Sequence, residues 1–421
     1  MRNLIRVAAA ALMVSGAAAV NAAEYDAKKF TQYELPSSTL HVYESGDPMG
    51  DVSFIVEGKK SLVVVEQPTF HSAIDEFQAY TAELKKPVDR VVANYHSGGA
   101  AQYPTKRIMM PESMSKFGDS KMAQGMIAKF TKVFGEAADF RPVKGIKTFT
   151  LPMNMKLAGV EFDFTATKTL GMPGAVIQID GDALYTHFSP AKAHANPMQI
   201  KSLESVEAML AEMNFIKASG AKYIFGSHGR AATQTEVEFQ IDYLELIKKL
   251  RKECTTADLF GQRLLLAHPY IPNVEAIKAV AKALYPDEKP CPVKEEVRAR
   301  MQDYFDMVSN LDFDIAKSLW ADGDVSIVAP RGHFFGAESI ANDFLKRSFS
   351  SFQSRKLSSL SEVINIYGES SANVQLYWKF DTKDAKGVEQ SGRGRETLIF
   401  EKIEGVWKLV HVHYSRMPEA K

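Results

Sequence analysis

The chain has 421 residues, 45% of them hydrophobic and 24% charged, which is enough apolar material for two or three cores at ~150 residues each. Its 51 lysines and arginines balance 51 aspartates and glutamates, so it carries no electrostatic footprint for nucleic acid or anionic lipid. With only two cysteines, a Cys-rich zinc site and an all-cysteine iron–sulfur cluster are both excluded.

The first residues read as a secretory signal peptide. Arg2 and Arg6 flank an apolar run from Val7 through Val14, and Val20 and Ala22 occupy the small-residue places of a cleavage site, so residues 1–22 are expected to be removed. The run is too short, and too broken by Ser15 and Gly16, for a membrane anchor of about 20 apolar residues. The expected location is therefore the periplasm or cell exterior, with no membrane span. An oxidising compartment would permit Cys254 and Cys291 to pair.

Short apolar or alternating runs at Leu40 to Tyr43, Asp51 to Val56 and Leu62 to Val65 predict hairpin-linked strands. Ile74, Phe77, Tyr80 and Leu84 then predict a helix, and Val88 to Ala93 a strand. A helix across Met122, Met126, Ile127 and Phe130 follows, then strands over Ile146 to Thr167 and Ala175 to Phe188, the latter turning at Asp180-Gly181. Val206, Leu210 and Met213 mark another helix, Tyr223 to Phe225 a short strand, and Thr233 with Glu236 a capping box opening a long helix.

Prolines and charges between Tyr285 and Pro292 predict a linker around Cys291. Beyond it a helix carries Val297, Met301, Tyr304 and Val308 on one stripe. Strands follow near Val325 and at Leu360 to Tyr367, Asn373 to Phe380, Gly394 to Phe400 and Val406 to Ser415, with a helix from Glu338 to Leu345. Helices followed by a curved antiparallel sheet describe an α+β cone. The expected organisation is a signal peptide at 1–22, a first domain at 35–253, a helical connector and linker at 254–292, and a second domain at 293–421.

The first domain resembles the metallo-β-lactamase fold superfamily, an αββα sandwich. The run from Val88 through Asn94, His96, Gly98 and Gly99 sits where that family carries its His-x-His-x-Asp-His loop. Gly171-Met172-Pro173-Gly174 resembles its His-Thr-Pro-Gly place, Thr186-His187 the place of a bridging carboxylate, and Gly226-Ser227-His228-Gly229 its last ligand. Glu66 stands at the strand-end Asp that supports the site from behind. Glycine at 98, 99 and 171 offers no side-chain donor, so the resemblance implies no dinuclear centre.

What survives is His96, His187 and His228, enough in principle for one zinc ion with an open position. Two readings stay open. Either the domain is a mononuclear metal-dependent hydrolase on those three residues, or it is a metal-free fold that binds a small molecule, with Asn94 in the groove. His41, His71, His194 and His268 lie in no motif and are expected to be ordinary hydrogen-bonded imidazoles.

The second domain resembles the SnoaL-like, nuclear-transport-factor-like cones. The carrying residues are Gly394 to Phe400 and then Gly405 to Ser415, with a Trp-x-x-x-His-x-His-x-Ser ending. By strand alternation Trp407, Leu409, His411 and His413 share one face, and Arg395 is in phase beside them. Arg395, His411 and His413 are therefore expected to meet inside the cone and to favour an anionic ligand. The resemblance also implies an assembly role, a homodimer through this domain.

Overall fold

The computed structural model describes residues 24–96, 98–140, 143–167 and 172–418. The expected signal peptide and Gly171 lie outside the described residues. The chain divides into two compact units, the first holding residues up to 165 with 174–188 and 226–229, the second holding 166–173, 189–225 and everything from 230.

In the first unit β1 (Phe30–Glu34), β2 (Thr39–Glu44), β3 (Val52–Glu57), β4 (Leu62–Val65), β5 (Val88–Val92), β6 (Ile108–Pro111) and β7 (Lys147–Phe149) form one sheet in sequential order. The first four pair antiparallel through tight connections; from β4 to β7 the pairing is parallel. β4 reads Leu-Val-Val-Val and is buried at every position, as a strand covered on both faces must be. Helix α1 (His71–Glu83) covers one face, where its Phe77 and Tyr80 join Tyr43, Ile55, Val64 and Val91 in one cluster. Two further helices, α2 (Glu112–Gly118) and α3 (Lys121–Phe134), follow β6.

A second sheet runs in the order β12 (Tyr223–His228), β11 (Ala183–Phe188), β10 (Gly174–Ile179), β9 (Val160–Thr167), β8 (Met153–Leu157). Phe54 of β3 meets Tyr185 of β11 edge to face with ring centroids 5.6 Å apart, so the two sheets share a core. The β10–β11 connection carries Asp180-Gly181, both residues left-handed at φ 53° and 78°, in a three-residue loop between the paired Ile179 and Ala183.

The second unit contains α4 (Leu203–Ser219), α5 (Gln234–Glu253), α6 (Ala257–Ala267), α7 (Ala276–Leu284), α8 (Pro292–Asn310) and α9 (Phe313–Leu319). The expected capping box of Thr233 and Glu236 opens α5. A six-stranded sheet follows in the order β14 (Gly332–Phe335), β13 (Ser326–Ala329), β18 (Val406–Arg416), β17 (Glu389–Ile403), β16 (Ser371–Asp384), β15 (Phe352–Tyr367). The predicted stripe of α8, Val297, Met301, Tyr304 and Val308, is buried against Val374, Leu376, Leu398, Phe400, Leu409 and Val412 of this sheet. Each such buried side chain contributes roughly 1.5–3 kcal/mol.

The expected Cys254–Cys291 pairing is corrected. Both are free thiols: Cys254 is buried at the end of α5 with the Arg263 guanidinium donating to its sulfur at 3.7 Å, and Cys291 is exposed ahead of α8. No helix among the described residues is long and apolar enough to cross a membrane.

Candidate functional site

Because β4 and β5 lie parallel, the residues that follow them emerge at one edge of the sheet. Glu66 follows β4 and Asn94 to His96 follow β5. Glu66 is completely buried and left-handed at φ 54°, a conformation that costs a non-glycine residue about 1–3 kcal/mol. Its carboxylate accepts the Tyr95 amide at 2.9 Å, the His96 amide at 2.5 Å and the Tyr185 hydroxyl at 2.7 Å. The His96 loop is thereby fixed from behind. Burial raises the Glu66 carboxyl above its ordinary range, and His96 together with these hydrogen bonds opposes the shift.

Asn94 does not face a ligand. It is buried, its amide donates to the Ala175 carbonyl at 2.9 Å, and its carbonyl accepts the Ala175 amide at 3.1 Å, so both ends are used in tying the loop to β10. That expectation is corrected to a bridging role.

His96, His187 at the end of β11 and His228 at the end of β12 do converge. Their ring centroids stand 5.6, 4.9 and 5.1 Å apart for His96–His187, His96–His228 and His187–His228, and one ligand atom of each lies within 4.8 Å of the others. A fourth residue approaches two of them, His96 and His228, from a place no motif marks. Asp51, just before β3, forms an isolated bridge with His228 and is 1% exposed. Its Oδ1 lies 3.7 Å from the Nδ1 of both His96 and His228. The sequence offered one weak signal, a carboxylate opening an otherwise apolar strand.

The glycines beside these residues are close-packed rather than open. A β-carbon on Gly98 would overlap the Asp139 carbonyl oxygen, and one on Gly174 would overlap the Tyr95 hydroxyl. Tyr95 in turn lies against the His187 ring at 4.0 Å between centroids. At Gly98, where the resemblance places a lost ligand, the space is filled by backbone.

Burial, then the neighbouring His96 and His228, hold His187 well below the ordinary imidazole range. Burial and His96 push His228 down to about 4 against the opposing pull of Asp51. Neutral imidazole is the form that ligates metals. Both carboxylate oxygens of Asp51 and the Nδ1 atoms of His96 and His187 are buried without a hydrogen-bond partner. Unpaired buried polar atoms each cost about 1–3 kcal/mol, and the Asp51 Oδ1 and His96 Nδ1, 3.7 Å apart, are too far from one another to pair. Donor chemistry and orphaned atoms alike fit a divalent cation. Donors of a tetrahedral zinc at about 2.0–2.1 Å stand about 3.3 Å apart, so the set has to contract modestly to close on one ion.

The cone interior departs from expectation. β17 and β18 pair in regular register up to Ile399 opposite His411, then a bulge places Phe400 opposite Leu409. One extra residue reverses the alternation. Trp407, Leu409 and Val412 are buried, whereas His413 and Arg395 are exposed and His411 is half-buried, with its Nδ1 2.8 Å from the Ser326 hydroxyl. The expected Arg395, His411 and His413 cluster is not formed. Inward instead point Glu396, Tyr304, Arg355, Trp378 and Tyr414, around a cavity of about 30 Å³. That holds roughly one water.

Residues 297–419 match the family model described as a SnoaL-like domain. This segment is a SnoaL-like domain. A nuclear transport factor 2 (NTF2-like) superfamily protein from Salmonella enterica subsp. enterica serovar Typhimurium str. LT2 is 29% identical, with 31% of this chain and 94% of that chain covered at a TM-score of 0.29. The hexachlorocyclohexane dehydrochlorinase LinA-type3 from Novosphingobium barchaimii LL02 is 14% identical over 30% of this chain and 88% of its own, TM-score 0.28. An uncharacterized protein with a cystatin-like fold from Caulobacter vibrioides is 19% identical over 30% and 92%, TM-score 0.28. No curated protein matches the chain. The SnoaL-like domain contains none of His96, His187, His228 or Asp51.

Proposed function

We propose that this is an exported protein whose first unit is a metallo-β-lactamase-like sandwich holding one divalent cation on His96, His187 and His228, and that it acts as a mononuclear metal-dependent hydrolase of a small ester, lactam or similar bond. One observation carries the reading: three imidazoles, from the loop after β5 and the ends of β11 and β12, come together with ligand atoms within 4.8 Å. The order of the motifs and the two sheets of the unit support it. The rival reading is a metal-free fold of this unit that binds a small molecule.

When bound, a divalent cation supplies Lewis-acid polarisation of a carbonyl or phosphoryl oxygen. The chain's own residues prepare that place. Glu66 fixes the His96 backbone, Tyr185 joins Glu66 to the Ser227 hydroxyl at 2.6 Å, and Ser227 precedes His228. Two of the three histidines thus share one support. Elemental analysis of mature protein prepared without chelator should give about one zinc per chain, lost in His96→Ala and His228→Ala. Folded, metal-free wild-type protein after zinc addition would end the hydrolase reading.

The SnoaL-like domain is proposed to contribute a homodimer contact. Light scattering of the intact mature chain tests this, and a monomer at micromolar concentration removes it.

A further inference from the structure

We infer that Asp51 is a fourth donor to the cation, so that the site is a three-histidine, one-carboxylate centre completed by a residue outside every motif of the first unit. The inference rests on the metal-binding reading above and adds to it a ligand from a different strand. Three independent observations carry it. The Asp51 side chain is fully buried, and neither of its carboxylate oxygens has a hydrogen-bond partner. Its Oδ1 is equidistant, at 3.7 Å, from the Nδ1 atoms of His96 and His228. The bridge between Asp51 and His228 fixes the backbone from which it points, so the carboxylate is placed by the sheet rather than by a loose side chain.

A separation of 3.7 Å is too long for a hydrogen bond and close to the spacing of about 3.3 Å between two donors of one tetrahedral zinc. An unpaired carboxylate in a buried place is costly; a divalent cation is the partner that removes the cost for Asp51 and for the orphaned Nδ1 of His96, 3.7 Å away, at once. The ligand set then carries one negative charge from Asp51, and imidazole with carboxylate suits zinc and the neighbouring first-row divalent metals. His96, His187, His228 and Asp51 would together hold the ion, which would supply Lewis-acid polarisation of a substrate oxygen at this place.

The test uses the mature full-length chain and zinc or cobalt(II) as the probe. Asp51→Asn keeps the shape and should weaken zinc about 100-fold or more in competition titration against a chromophoric chelator, while the melting temperature of the metal-free form holds or rises. Asp51→Cys loaded with cobalt(II) should gain an intense thiolate-to-metal absorption band that wild type lacks. Unchanged zinc affinity in Asp51→Asn, or a cobalt-loaded Asp51→Cys without the band, overturns the inference; if His96→Ala has meanwhile lost its metal, the three-histidine reading survives. Failure of wild type to take up zinc removes both.

Discussion

Inside the cone the Tyr304 hydroxyl donates to the Glu396 carboxylate at 2.6 Å, joining α8 to β17 across 92 positions of sequence. Burial raises Glu396 to about 7, with the Tyr304 hydrogen bond and the Arg355 charge acting the other way. Tyr414 also faces the group.

This relationship predicts a pH-dependent stability with a definite sign. A carboxyl raised from 4.5 to about 7 in the folded state binds its proton more tightly there than in the unfolded chain. Its stabilising contribution is whole below about 4.5 and is lost as the pH rises through about 7, about 3 kcal/mol in all. Thermal denaturation of wild type and Glu396→Gln between about pH 4 and 8 should diverge, the variant showing the flatter profile. Parallel profiles would refute the assignment.

Two glycines should respond oppositely to alanine. Gly98→Ala drives a β-carbon into the Asp139 carbonyl oxygen, a backbone atom that cannot swing aside, and should destabilise by about 1–3 kcal/mol. Gly125 lies inside α3 and is exposed, and a β-carbon added there meets no other atom within 4 Å, so Gly125→Ala should stabilise by about 0.5–1 kcal/mol. Chemical denaturation of the two variants beside wild type measures both.

Thiol titration checks the cysteines. Exposed Cys291 should react with an aromatic disulfide reagent in the native protein and buried Cys254 only after unfolding, giving one and then two equivalents per chain. Protein that yields none in either state would carry the disulfide instead.

Features written within a few residues were legible in the sequence. The Asp180-Gly181 turn needs only two left-handed residues, the Thr233–Glu236 capping box only a spacing of three, and the α8 stripe only helical periodicity. The three histidines could be nominated for the same reason, since each sits in a short recognisable run.

By itself, then, the sequence determined local chemistry: which segments alternate, where they turn, and which side chains can ligate. Tertiary structure decided what depends on register between distant strands. The β18 bulge turned His411 and His413 away from the cone and brought Tyr414 in, because one added residue reverses a two-residue period. Asp51 reached the histidines only through its bridge to His228, a pairing that no local pattern encodes.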